Sequence, residues 1–169
     1  RGRGFLGFEQ RTVIDNQRNF ITTENYHQNY PFTGEIASSN VRHAGIFIDE
    51  THKDWQKTAI NSGKNTHRYL NRQANIKRDL NDSGEVYASV LNNTYDHTYG
   101  NVTKTITQTG TGYSNYSVST IDQKVTTTYG YNNNATNWRL GFVTSESKIF
   151  SVPGESNRTV VRAATPVSN

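Results

Sequence analysis

Val and Ile together fill 22 positions of this chain, and Leu fills only 5. That ratio constrains the fold more than any other feature. Side chains branched at Cβ lose rotamer freedom in a helix but fit a pleated sheet, whereas helix bundles draw on straight-chain apolar residues. Thr contributes a further 22 residues and Tyr 10, both types that suit a half-buried strand. The chain is therefore expected to be mainly β. The architecture expected is a single antiparallel sandwich or jelly roll spanning residues 1–169.

The remaining composition narrows the function. Apolar residues make up 32% of the 169, so the core must be thin and the surface polar. The 10 Tyr and 2 Trp still carry enough ring area for a folded domain. With 0 Cys there is no disulfide framework, thiolate metal site or cysteine nucleophile. No apolar run approaches the ~18 residues of a membrane-spanning helix. The chain has 0 Met and opens on Arg1, which reads as a processed, secreted or surface-exposed protein.

Along the chain, Thr12-Val13-Ile14 and Phe20-Ile21-Thr22 read as short strands. Residues 41–50 read as one strand, with Ala44, Ile46 and Ile48 on one face. Two short inserted helices are expected next. Thr51 and Asp54 have the spacing of a capping box, which predicts a helix over about 51–60, stopped by Asn61-Ser62-Gly63. Over 66–80, Tyr69, Ile76 and Leu80 share an arc at 100° per residue, opposite Lys64, Arg68 and Arg72. From residue 85 onward the alternation is that of strands. Val86, Ala88 and Val90 lie on one parity, Trp138, Leu140 and Phe142 on another strand, and 149–152 and 159–162 are the last two. Gly110-Thr111-Gly112 reads as a hairpin turn, and a bulge near Ser119-Thr120 reconciles the phases of Val118 and Ile121.

Positive charge concentrates in residues 51–80. Lys64, Arg68, Arg72, Lys77 and Arg78 form a candidate patch for a polyanion or an anionic cell surface. Tyr95, Tyr99, Tyr129 and Tyr131 sit among Asn and Gly and are candidates for stacking on a glycan. The five histidines show no metal-ligand spacing, so no metal and no cofactor is expected. Glu50, His52 and His67 are the best set for a small secreted nuclease, but nothing in their spacing compels that chemistry. A nucleic-acid partner is therefore not expected.

Between Asn101 and Tyr131, apolar and hydroxyl residues alternate over two long segments. Such a Ser/Thr-rich hairpin resembles the insertion segments of aerolysin-type pore-forming proteins. The resemblance implies a hairpin that refolds into a barrel, and only on that reading is a membrane a partner. Lys104 and Asp122 count against it, since a charge on the lipid face costs about 2–4 kcal/mol at the midplane. The reading that takes in most of these features is non-enzymatic. It is an extracellular protein that binds a cell surface or glycan, assembles with copies of itself through strand edges, or does both.

Overall fold

The computed structural model describes residues 7–60, 63–134, 136 and 139–163. Ten strands follow one another as β1 (Gln10–Asp15), β2 (Phe20–Tyr26), β3 (Ile36–His43), β4 (Ile46–Ile60), β5 (Asn65–Arg78), β6 (Glu85–Asp96), β7 (Asn101–Ser114), β8 (Ser117–Asn134), β9 (Arg139–Ser151) and β10 (Arg158–Ala163). They form a single open antiparallel sheet in sequence order, each strand beside the next. Among the described residues the chain is thus all β, in line with its Val, Ile and Thr content. The sandwich or jelly roll expected from sequence is replaced by one continuous meander.

Neither expected helix is present. Residues 51–60 belong to β4 and 66–78 to β5, which pair from Asp49↔Lys77 to Ile60↔Asn65. The reason is visible in what the strands exchange. Arg72 Nε sits 2.7 Å from Asp54 Oδ2, Arg78 Nε 2.5 Å from Glu50 Oε1, and Lys77 pairs with Asp49. Charges that look like a solvated helix face are cross-strand partners. Thr, His, Asn and Tyr in the same stretch are weak helix formers, so pairing outweighs a three-residue apolar arc.

Two turns also fall elsewhere. Residues 41–50 are not one strand, because Ala44 (φ 49°) and Gly45 (φ 87°) form the tight turn between β3 and β4. β7 runs through Gly110–Gly112, and its hairpin turns instead at Asn115 (φ 44°) and Tyr116 (φ 58°). Both pairs have the two positive φ values of a type I′ turn, whose twist matches the flanking strands. The bulge lies opposite Thr109 and Gly110, where Gln123 and Ile121 are the successive partners and Asp122 is the extra residue. Residues 149–151 complete β9 rather than forming a separate strand. Trp138, expected on one strand with Leu140 and Phe142, lies outside the described residues.

The core is small and central. Ala74, Ile76, Ala88, Val90 and Val118 are buried, with Tyr113, Tyr116 and Ile121 packed against them. The first four share one face of β5 and β6, where Ile76↔Ala88 and Ala74↔Val90 are direct partners. Val118, Tyr113 and Tyr116 belong to the β7–β8 tip, so that tip folds over this face. Gly110 permits the fold, since a Cβ there would lie 1.8 Å from the carbonyl oxygen of Thr120. Glu85 accepts hydrogen bonds from the Tyr113 amide at 3.0 and 3.2 Å, and the Arg72 guanidinium lies 4.7 Å over the Tyr116 ring. Elsewhere polar side chains link the strands. Examples are Gln10 to Asn25 to Ser38 (2.9 and 3.0 Å), Thr51 to Asn75 (3.1 Å) and Thr105 to Asn93 (2.9 Å).

Candidate interaction surfaces

The two edges of the sheet come first, because an unpaired edge is a row of backbone donors and acceptors. Among the described residues, β1 pairs only with β2 and β10 only with β9. Both edge strands run through a regular register with no bulge, and neither contains Pro or Lys. Their β-branched side chains are open to solvent, with Val13 47%, Ile14 59% and Val161 66% exposed. The charges on them are Arg11 and Asp15 on β1, and Arg158 and Arg162 on β10.

The outward direction of the β1 backbone follows from one bond. The Tyr26 amide donates to the Glu9 carbonyl at 2.8 Å, and Glu9 continues the register that sets Gln10 opposite Asn25. Residues 9, 11, 13 and 15 therefore turn their amides and carbonyls toward β2, and Gln10, Thr12 and Ile14 turn theirs outward.

Four of the five residues of the expected basic patch pair with carboxylates. Arg68 lies 3.2 Å from Glu35, Arg72 and Arg78 meet Asp54 and Glu50, and Lys77 meets Asp49. Lys64 is exposed in the β4–β5 turn. Burial pushes the Asp54 carboxyl up. Hydrogen bonds from Asn71, Arg72 and Gln56, with the Arg72 charge, outweigh it and bring the group below its ordinary value.

The tyrosines are brought closer together. Tyr95 packs with Tyr69 (ring centroids 4.8 Å apart), His67 (5.9 Å) and His97 (6.3 Å), and donates its hydroxyl to the Leu70 carbonyl at 2.9 Å. Burial raises the Tyr95 phenol above its usual pKa. Tyr131 bonds the Val102 carbonyl at 2.7 Å, directly across from Tyr95 in register, and stands 6.4 Å from Tyr129. Tyr99 is exposed on the β6–β7 turn. An open cleft of about 440 Å³ beside this turn is lined by Ala59, Ile60, His97 and Thr98. Among the described residues, the buried Nδ1 atoms of His67 and His97 have no hydrogen-bond partner. Sequence reasoning missed Tyr69 and His97 as members of this cluster. Its signal is the two-residue spacing of 67 with 69 and of 95 with 97, which reads as one face only once both stretches are strands.

His52 and Glu50 do meet, at 3.4 Å, but His67 pairs with Thr58, six positions further along β4. Among the described residues no group of three or more His, Asp or Glu could hold a metal. The hairpin of residues 101–131 is interior to the sheet, with β6 on one side and β9 on the other. Comparison with known proteins finds no matching family model, no matching curated protein and no matching solved structure.

Proposed function

We propose that this protein is a non-enzymatic assembly module whose open sheet takes up further strands at its edges. One observation carries the reading: among the described residues both outermost strands expose β-branched side chains beside unpaired backbone, with no Pro, Lys or bulge in either strand. Soluble sheets normally blunt such edges with Pro, Lys, bulges or covering segments. Strand addition satisfies the backbone groups through main-chain hydrogen bonds and covers Val13, Ile14 and Val161 at once.

Light scattering coupled to size exclusion tests the reading over a wide concentration range. A mass above that of the 19.1 kDa chain that grows with concentration is expected. A constant monomer mass at every concentration would contradict it.

A glycan contact is a second reading, supported by the ring cluster and the cleft beside His97. Ile60 and Ala59 offer an apolar wall, and the imidazole and the Thr98 hydroxyl offer polar groups, a mixture suited to a neutral sugar. Calorimetric titration with neutral oligosaccharides should give binding that His97→Ala weakens. Absence of heat with every sugar removes this reading and leaves strand addition standing.

A further inference from the structure

The two edges are not equivalent, and their sequences say which one can pair with itself. From the register and the outward groups of β1, we infer that two copies of this chain join through β1 in an antiparallel two-fold pair centred on Val13. The inference rests on the strand-addition reading above and specifies its partner, its edge and its register.

The geometry admits few alternatives. A two-fold axis perpendicular to the sheet keeps each face continuous with the same face of the second copy. Hydrogen-bonded pairs must then form between residues whose amides and carbonyls point outward, namely Gln10, Thr12 and Ile14. Centring on Val13 sets Thr12 opposite Ile14 of the second copy, twice, each pair exchanging both bonds. It also sets Arg11 opposite Asp15, twice, at the closer non-hydrogen-bonded positions, and Val13 opposite itself. Centring on Thr12 forms one more hydrogen-bonded pair, Thr12 with itself beside Gln10 with Ile14 twice, but sets Arg11 against Val13 and Asp15 against Glu9. Opposite charges across a pair stabilise it and a charge against an apolar residue does not, so the Val13 register is selected.

Both charged groups have capacity to spare. Asp15 Oδ1 accepts from the amides of Gln17 and Arg18 at 3.0 and 3.1 Å, bonds that leave Oδ2 unused. Arg11 reaches Glu24 with one Nη at 3.5 Å, and its side chain is 64% exposed. A guanidinium has five N–H donors, enough for both carboxylates.

The other edge behaves differently. Two β10 strands centred on Val160 set Arg158 against Arg162, twice. Centred on Val161, they set Arg162 against Val160. Neither register pairs opposite charges. Full overlap of β10 with β1 gains Asp15 with Arg158 but sets Arg11 against Arg162. The β1 edge is self-complementary in charge and the β10 edge is not, which favours a closed pair, the commonest symmetry of soluble oligomers.

The chain has 0 Cys, so a single introduced thiol reports alone. Non-hydrogen-bonded partners stand about 4.5 Å apart at Cα, within disulfide reach. Under mild oxidation Val13→Cys is expected to run as a covalent dimer and Val160→Cys as a monomer. Arg11→Asp should weaken association at least tenfold, and the charge swap Arg11→Asp with Asp15→Arg should restore it, circular dichroism verifying the fold of each variant. A wild-type assembly in which Val13→Cys stays uncrosslinked, or in which Arg11→Asp changes nothing, overturns this joint and leaves strand addition intact. A wild-type chain that is monomeric throughout overturns both.

Discussion

Ile76 and Val90 are the two largest side chains that are fully buried, so stability hangs on very few residues. Ile76→Ala removes the centre of the cluster beneath the β7–β8 tip. A loss of about 2–5 kcal/mol is expected, measured by urea unfolding, a large share of what a domain of this size possesses. Asp54 is the clearest titrating contributor. Its carboxyl, desolvated yet held by Asn71, Arg72 and Gln56, has a folded pKa below the unfolded value of about 3.9. A depressed folded pKa means stabilisation that is complete above the unfolded value and lost as pH falls through the folded one. Asp54→Asn should therefore be less stable than wild type at neutral pH, with the gap narrowing below about pH 4. A gap independent of pH would show that the carboxylate charge is not what holds Arg72.

Hairpins are the elements from which this molecule is built, and their legibility depended on where the local signal lay. Phe20 to Thr22 and Val86 to Leu91 are rich in β-branched and aromatic residues, and both lie in strands. Residues 51–60 and 66–80 mislead because the capping-box spacing and the arc of Tyr69, Ile76 and Leu80 are local features. The ladder of Asp49, Glu50 and Asp54 with Lys77, Arg78 and Arg72 is visible only when two segments are laid side by side. Charge identity was legible, and its pairing was not. Turns failed for a related reason. Gly110 and Gly112 look like a turn but serve the bulge and the fold of the tip, while the real turns use Asn115-Tyr116 and Ala44-Gly45. Ala44 in the left-handed region carries a steric cost of about 1–2 kcal/mol that glycine avoids. Ala44→Gly should gain up to about 1 kcal/mol in chemical denaturation, since glycine's greater unfolded-state entropy offsets part of the relief. A loss instead would place the β3–β4 turn in another conformation.

On the scale of the whole molecule, the sheet is long, its core occupies the middle, and its ends carry polar ladders and exposed β-branched residues. Thin cores need other sources of cohesion. Gln10, Asn25 and Ser38 on one side and Thr105 with Asn93 nearer the centre link strands through side chains where apolar contact is sparse. The abundance of Asn and Thr was evident from composition, but its role as cross-strand linkage was not. Nor could sequence show that Thr12, Val13 and Ile14 form an edge, because an edge is defined by a missing neighbour. Tyr95 lies on β6 and Tyr129 and Tyr131 on β8, with β7 between, and Tyr95 and Tyr131 donate their hydroxyls to backbone carbonyls. Arg68, Arg72, Lys77 and Arg78 of the expected basic patch each face a carboxylate.

Residue-resolved amide hydrogen exchange across a concentration series addresses the open edge most directly. The amides of Thr12 and Ile14 point away from β2, so they should exchange freely in dilute solution and slow markedly as the chain is concentrated. Those of Arg11 and Val13 should be protected throughout. Free exchange of Thr12 and Ile14 at every concentration would mean that the β1 edge of this sheet adds no strand.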